Sequence, residues 1–312
     1  MDAIETRGLT KDYKKFFSFQ KKNRALDDLD LTVPSGSVFG FLGLNGAGKT
    51  TTIKLLLGLA YPTGGDGSVL GRPLGDTKAK EKIGFLPEEA YFQRHLTAVE
   101  FLNFCARTLH MDNDLRRRRV EEMLALVSMT EKANVKLMNF SKGMLQRVGV
   151  AQALLNDPDL VIFDEPLTGL DPMGRAELKE IMLELKSRGK TVFFSSHILS
   201  DVQAISDRVA IMNRGQLIYQ GLVSELLDID TIDLTVDHVP ASHLDVLEKM
   251  STSLSKQQGS WIFSLSDTQQ KKEIEGYLLK ENLKVSSTAI AYRELEPVFL
   301  SKIEENNRQR GL

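Results

Sequence analysis

The 312-residue sequence contains a single cysteine, Cys105, and its formal net charge is only −2. One cysteine cannot form an internal disulfide, so we expect the chain to work in a reducing compartment. A nearly neutral chain also lacks the overall basic field that attracts nucleic acids. The single cysteine disfavours a disulfide-stabilised secreted protein. The nearly neutral charge predicts that the chain has no nucleic-acid partner.

The sequence also contains no apolar run that approaches the roughly 18 residues of a membrane-spanning helix. Its first residues include Asp2 and Glu5 and lack the basic-then-apolar order of a secretory signal. We therefore expect that the chain does not cross a bilayer by itself. Any role in a membrane process would then depend on a partner protein.

A glycine-rich loop at residues 43–51 is the most informative stretch that the sequence does contain. Residues 38–42 form an apolar run typical of a buried parallel strand, and residues 50–59 predict a helix. In such a loop, backbone N–H groups turn toward phosphates, Lys49 reaches the β- and γ-phosphates, and the Thr50 hydroxyl binds Mg²⁺. A chance lysine in a glycine-rich turn is the alternative, which the strand–loop–helix context disfavours. The sequence therefore predicts a nucleoside triphosphate site.

Two further predicted strands end in polar side chains that suit such a site. Residues 160–163 form an apolar strand, and Asp164 and Glu165 follow it directly. Burying two carboxylates without a partner is costly, so we expect Mg²⁺ held by the phosphates to be that partner. Residues 191–194 predict another strand, which leads to His197.

Several other features keep two interpretations when only the residues are considered. Tyr13 is either an ordinary aromatic at a strand boundary or a ring stacked on an adenine. Ser141 precedes a predicted helix, and an N-cap role alone would explain it. Asp171, followed by a proline, begins a long predicted helix. Residues 14–24 mix basic and aromatic side chains, which indicates either a solvated loop or a contact with anionic lipid or a partner.

The length of the chain suits two domains. Residues 97–155 predict a helical part that begins with a capping box at Thr97. Residues 222–312 contain no further phosphate motif and predict a small α+β domain. We therefore expect a nucleotide-binding domain at residues 1–221, with its helical subdomain at about 97–155, and an accessory domain at 222–312.

Together the motifs resemble the ATP-binding cassette (ABC) ATPases, the nucleotide-binding subunits of ABC transporters. The resemblance covers residues 3 to about 221 and follows the family's order. The segment at residues 140–144 distinguishes this family from other phosphate-loop NTPases. The matching stretches are the aromatic Tyr13, the Walker A loop at 43–51, the Q-loop at 85–89, the signature at 140–144, the Walker B strand at 160–165, the D-loop at 168–171 and the switch histidine His197.

The resemblance implies an α/β fold of the P-loop NTPase ABC type, with a mixed sheet core, an antiparallel β subdomain and an α-helical subdomain. ATP is the implied nucleotide and Mg²⁺ the implied cofactor. The implied ATP contacts are Tyr13, Gly43, Asn45, Gly46, Ala47, Gly48, Lys49, Thr50 and Thr51. The implied Mg²⁺ ligands are Thr50, Asp164 and Glu88, the implied catalytic residues are Glu165, His197 and Lys49, and the D-loop residue is Asp171.

In the family, the signature of one subunit closes over the Walker A loop of another, which implies that Ser141 and Gly143 contact ATP in trans. Three positions depart from the family pattern. Glu88 stands where the Q-loop has glutamine, and Lys142 and Met144 replace a glycine and the glutamine of the signature. Because Ser141 and Gly143 are retained, we expect the function to survive.

The resemblance implies an ATPase subunit that dimerises around two MgATP and drives a separate integral membrane permease, in the manner of exporter-type bacterial cassettes. The implied partners are this permease and a second cassette, with a homodimer expected, and the implied location is the cytoplasmic face of the cell membrane. A cassette acting as a nucleotide switch on ribosomes or DNA is the alternative. A single Walker A loop and no long coiled-coil insertion disfavour it. An inactive regulatory cassette is disfavoured because Lys49, Asp164, Glu165 and His197 are all present.

Overall fold

A computed structural model describes residues 2–14, 22–227, 229–257, 260–292 and 295–310. The chain divides into two compact units, one comprising Met1–Val223 with Phe299–Leu312, and the other Ser224–Val298. The residue pattern predicts one domain for all of residues 222–312, whereas in the structure the residues from Phe299 onward group with the first unit. Among the described residues, no helix combines the length and the apolar character that crossing a membrane requires.

The strands of the first unit belong to two sheets. They are β1 (Asp2–Lys14), β2 (Lys22–Leu29), β3 (Thr32–Pro34), β4 (Val38–Gly43), β5 (Gly64–Val69), β6 (Arg72–Pro73), β7 (Ile83–Leu86), β8 (Leu160–Phe163), β9 (Thr191–Ser196), β10 (Arg208–Asn213) and β11 (Gln216–Leu222). The second unit has a sheet of its own. Its strands are β12 (Ile229–Asp237), β13 (Ser253–Gln257), β14 (Ser260–Leu265) and β15 (Val285–Tyr292).

The α-helices follow the same chain order. They are α1 (Lys49–Leu56), α2 (Thr77–Lys80), α3 (Ala98–Thr108), α4 (Asn113–Leu126), α5 (Lys142–Leu154), α6 (Pro172–Ser187), α7 (Leu199–Ile205), α8 (Val223–Leu226), α9 (Ala241–Met250), α10 (Thr268–Lys280) and α11 (Leu295–Gln309).

The larger sheet of the first unit has the strand order β11-β10-β4-β9-β8-β7. All of its pairs are parallel except β10 with β11, and every residue of β4, β8 and β9 is buried. Strands covered on both faces in this way read as continuous apolar runs, which explains why the sequence revealed them. Because β4, β9 and β8 are neighbours, their carboxyl ends lie side by side, and this brings the phosphate loop near Asp164 and His197.

The second sheet is antiparallel and runs β2-β1-β5-β6, with β3 also paired to β1. The residue pattern predicts one strand at residues 25–33, whereas the structure has two. The break follows a shift of register between β1 and β2, near Asp28 with φ of 58°. The Thr6 N–H of β1 donates to the Leu31 carbonyl oxygen, and the Leu31 N–H donates to Thr6 Oγ1, both at 2.9 Å, next to the start of the pairing with β3.

Helices α3, α4 and α5 form the helical part that the sequence predicts at about residues 97–155. Helix α3 begins with the predicted capping box: the Thr97 N–H donates to Glu100 Oε2 at 2.8 Å, and the Glu100 N–H donates to Thr97 Oγ1 at 3.3 Å. With the mixed sheet and the antiparallel sheet, these helices confirm the predicted fold class.

The second unit has the chain order β12-α9-β13-β14-α10-β15 and a fully antiparallel sheet in the order β13-β14-β12-β15. This is a ferredoxin-like arrangement. Apolar side chains of β12 and β14 pack against Leu247 of α9 and Ile274 of α10. The residue pattern does not reveal β13, because its residues SLSKQ are mostly polar and the strand lies at the edge of the sheet.

Candidate functional site

The phosphate loop connects β4 to α1 through glycines in left-handed conformations. Gly46 has φ of 80° and Gly48 has φ of 110°. A side chain on Gly48 would place its Cβ 2.8 Å from the Ala25 carbonyl oxygen, so only glycine fits there. Helix α1 begins directly after Gly48, and the N–H groups of its first turn point out of the helix end. The loop therefore offers a cradle of backbone donors to an anion.

Lys49, Glu165 and His197 form a connected cluster beside this cradle. Lys49 Nζ lies 3.1 Å from Glu165 Oε1 and donates to the Gly43 carbonyl oxygen at 2.7 Å. The other carboxylate oxygen of Glu165 lies 2.7 Å from His197 Nδ1 and accepts from Thr168 Oγ1 at 3.2 Å. Glu165 itself has φ of 50°, a strained conformation for a residue with a side chain, and such strain is common at functional sites.

Asp164 lies under the loop and is 3% exposed. Ser195 Oγ donates to its Oδ1 at 2.6 Å and also accepts from the Glu165 N–H at 2.8 Å. Burial raises the pKa of the Asp164 carboxyl above its ordinary value, and the hydrogen bonds from Ser195 and Thr50 oppose that rise. A cation bound between the Thr50 hydroxyl and Asp164 would stabilise the charge of this buried carboxylate.

The residues present fit a magnesium ion held jointly with phosphates. Among the described residues there is no group of three or more His, Cys, Asp and Glu side chains that could hold a metal ion alone. Mg²⁺ needs no such group, because it usually takes one or two carboxylates and completes its shell with phosphates and water. Thr50 and Asp164 would supply hard oxygen ligands here, and Glu88 lies on the wall of the same site. The ion would neutralise phosphate charge.

A cavity of about 640 Å³ brings most of the predicted residues together, and this volume suits a nucleotide. Tyr13 lies at its edge with 39% of its surface exposed, and Lys11 Nζ sits 5.1 Å from the ring centroid. The predicted residues that line the cavity are Tyr13, Asn45, Gly46, Ala47, Gly48, Lys49, Thr50, Thr51, Glu88, Glu165 and His197. Gly43 and Asp164 lie behind this wall, in contact with Lys49 and Thr50 respectively.

Other residues also line the cavity. Asn23, Arg24 and Ala25 lie in no motif that the sequence reveals, whereas Leu44 and Thr168 belong to the Walker A loop and the D-loop but are not among the expected ATP contacts. The pairing of Tyr13 with Asn23 across β1 and β2 brings this part of β2 to the cavity. Ser195 was missed as well, although a small polar residue at the end of a buried strand next to the acidic strand end was a usable signal.

The remaining predicted residues line a second cavity, of about 450 Å³, which shares no lining residue with the first. Ser141 Oγ accepts from the Met144 N–H at 3.3 Å, and Asp171 Oδ1 accepts from the Gly174 N–H at 2.7 Å, so both residues cap helices. Gly143 lies on the same wall. The chain therefore does not bring Ser141, Gly143 or Asp171 to its own phosphate loop.

Comparison with known proteins agrees with this geometry. The ABC transporter family model matches residues 26–168. An uncharacterized ABC transporter ATP-binding protein of Synechocystis sp. is 41% identical over 100% of this chain and 86% of its own length. The Nod factor export ATP-binding protein I of Cupriavidus pinatubonensis is 35% identical over 74% of this chain and 71% of its own.

A solved structure, described as the dimeric post-hydrolysis state of the ATP-binding cassette MJ0796 bound to ADP and Pi, is 25% identical with a TM-score of 0.64. The match covers 70% of this chain and 98% of that one. The fold, the phosphate loop and these similarities lead to one conclusion. The chain belongs to the ABC transporter family, as one of its ATP-hydrolysing ATP-binding subunits.

Proposed function

We propose that two copies of this chain close around two MgATP and drive a separate membrane permease, in the direction of export. The observation that carries the proposal is the separation of the two cavities. Ser141 and Gly143 line an open cavity away from the phosphate loop of their own chain. A second copy would therefore complete each ATP site, with a symmetric pair of identical contacts.

In the proposed reaction, the protein positions the phosphates and water and stabilises charge. Lys49 and the loop N–H groups bind the β- and γ-phosphates, while Thr50 and Asp164 hold the metal. Glu165 accepts the proton of the attacking water, and His197 orients the γ-phosphate. The hydrogen bond between Glu165 and His197 supports these two roles, because it aligns the carboxylate with the imidazole.

The contact between Lys49 and Glu165, the proposed proton acceptor, supports a change of partners when ATP binds. Lys49 contacts Glu165 at 3.1 Å, and the same ammonium has to reach the incoming phosphates. Phosphate binding would draw Lys49 toward the nucleotide and leave Glu165 with His197 and Thr168 as its partners. The carboxylate would then be free to accept a proton from water.

The names of the relatives support the transport part of the proposal. One similar protein is named for the export of Nod factor, and a solved relative is described as a dimer with ADP and Pi. By analogy, the dimer would sit at the cytoplasmic face of the membrane, bound to its permease. ATP binding would hold the two subunits together, and hydrolysis would release them.

Mixing two inactive variants tests whether the ATP site is shared between copies. Lys49→Ala disables the phosphate loop, and Ser141→Arg blocks the signature cavity. Mixed dimers would hold one doubly damaged site and one intact site. Co-expression of the two variants should therefore recover roughly a quarter of the wild-type ATPase activity, although each variant alone is inactive.

The control replaces an exposed serine that lines neither cavity, Ser187→Arg, and should keep full activity alone. No recovery in the mixture would overturn the shared site. Purification from membranes in detergent tests the permease: an integral membrane protein should be recovered with the wild-type chain. Recovery with ribosomes or DNA instead would favour the alternative of a nucleotide switch.

A further inference from the structure

The tip of the hairpin between β10 and β11 has an unusual backbone. Asn213 pairs with Gln216, which leaves Arg214 and Gly215 as a two-residue turn. Their φ angles are 47° and 84°, both positive, as a type I′ turn requires. Arginine in this conformation is strained, so neighbouring contacts must hold the tip in place.

Those contacts join the hairpin tip to the phosphate loop. The Gly215 N–H donates to the Ala47 carbonyl oxygen at 2.8 Å, and the Asp27 N–H donates to the Gly215 carbonyl oxygen at 2.9 Å. A Cβ on Gly215 would lie 2.8 Å from the Ala25 carbonyl oxygen, so the backbones pack without room for a side chain. The hairpin tip therefore forms a rigid support under the loop that binds phosphates.

The side chain of Asn213 connects this tip to the last turns of α11. Its Nδ2 donates to Asn306 Oδ1 at 2.8 Å and to Asn307 Oδ1 at 3.1 Å. Asn213 is 4% exposed, and burying an amide without hydrogen-bond partners is costly. The two asparagines of α11 therefore supply the acceptors that keep Asn213 in position.

A second set of contacts runs from the same hairpin to the wall of the nucleotide cavity. Gln216 Nε2 donates to Asp27 Oδ2 at 2.8 Å, and Arg24 Nη1 donates to Asp27 Oδ1 at 2.8 Å. Arg24 lines the cavity. The bonds from Arg24 and Gln216 hold the pKa of the Asp27 carboxyl below its ordinary value, and the charge of Arg310 contributes to this. The C-terminal end of α11 therefore lies near both the hairpin tip and Asp27, which contact the phosphate loop and the cavity wall respectively.

We propose that the last turns of α11 position the phosphate loop, with Asn306 and Asn307 acting through Asn213 and the hairpin tip. These residues belong to the same compact unit as the loop. None of them contacts the nucleotide cavity, so they are positioning residues. The inference goes beyond hydrolysis itself: the last turns of α11 support the ATP site from outside the cavity, so changes at Asn306 and Asn307 alter ATP affinity.

The test measures ATP affinity, KM and kcat of the full-length chain carrying Asn306→Ala and Asn307→Ala. Loss of both acceptors loosens the tip, so the dissociation constant for ATP should rise about three- to tenfold, as the loss of one net hydrogen bond predicts. KM should rise by a similar factor. The rescue variant, Asn306→Asp with Asn307→Ala, keeps one acceptor oxygen opposite Asn213 and should recover most of the affinity.

Gln309→Ala is the matched control, because Gln309 is an exposed polar residue at the same end of the helix. It should leave ATP affinity and KM unchanged. A merely structural contact would lower the melting temperature while the folded protein kept its affinity for ATP, and that result would overturn the proposal. If the double variant does not fold, Asn306→Ala alone, which removes the shorter bond, is measured against the same control.

Discussion

Lys49 Nζ and Glu165 Oε1 lie 3.1 Å apart, and only 7% of each side chain is exposed. Each charge offsets the cost of burying the other. In the proposed mechanism, Lys49 binds the phosphates and Glu165 accepts the proton of the attacking water. Because the two side chains also form a buried ion pair, a change at either residue should affect stability as well as turnover.

Replacing Lys49 with alanine should abolish ATP hydrolysis and weaken ATP binding, because the charge that offsets the phosphates is lost. The variant should also be less stable by about 3–5 kcal/mol at most, since it leaves Glu165 buried without its cation. Steady-state ATPase assays, nucleotide titration and thermal unfolding measure the three effects.

The double variant Lys49→Ala with Glu165→Gln separates these contributions. Removal of both charges should restore part of the stability and none of the activity. Wild-type turnover in Lys49→Ala would refute the assignment of the phosphate loop.

Replacing Glu165 with glutamine should lower turnover by about 10²–10⁴-fold, because an amide cannot accept the proton of water. ATP binding should remain, since the loop and Lys49 are unchanged and the amide keeps the size of the side chain. Single-turnover kinetics and ATP titration test both statements, with the exposed Glu184→Gln as control. A variant that no longer bound ATP would instead identify Glu165 as a structural carboxylate.

The motifs made much of this fold predictable. Residues 160–163 form an apolar strand because the strand is buried, and Gly48 is a glycine because no side chain fits there. Both features show directly in the residue types, so the sequence predicts them. The order of the central sheet, which the strand pattern does not predict, brings Glu88, Glu165 and His197 to one cavity. The resemblance to ABC ATPases added the separation of Ser141 from that cavity.

Other features depend on contacts between distant residues and could not be predicted. The strand end marks Ser195 as a polar residue near the acidic strand end but does not identify it as a donor to Asp164, and nothing in the pattern indicates that Asn213 bonds asparagines of α11. The apolar stripe of α11 predicts that Leu295 and Phe299 are covered, and both are buried. Yet the stripe does not say which part of the chain covers them, and the grouping of residues 299–312 with the first unit is visible only in the structure.

The single cysteine offers a simple test of packing in the helical part. Burial raises the pKa of the Cys105 thiol to about 11. Because the thiolate is the reactive form, the native chain should react slowly with a disulfide reagent at pH 8, and the unfolded chain in urea should react quickly. Equal rates in the two states would contradict the packing of α3 around this residue.

The contact between Arg24 and Asp27 predicts a pH dependence of stability. Hydrogen bonds from Arg24 and Gln216 lower the pKa of the Asp27 carboxyl in the folded chain. A lowered folded pKa means that the stabilisation is fully present above the unfolded value of about 3.9 and is lost as the pH falls through the folded value. Because 25% of the Asp27 side chain stays exposed, screening limits the effect to about 1 kcal/mol.

Asp27→Asn should therefore be less stable than the wild type at pH 7 by about this amount. The difference should shrink as the pH falls below about 4, where the unfolded wild-type chain takes up the proton, and it should vanish once the folded carboxyl is protonated as well. Urea unfolding of both chains between neutral and acid pH measures the trend, and Asp66→Asn, at an exposed aspartate, serves as control. A difference that stayed constant, or that grew as the pH fell, would show that Asp27 does not stabilise the fold through its charge.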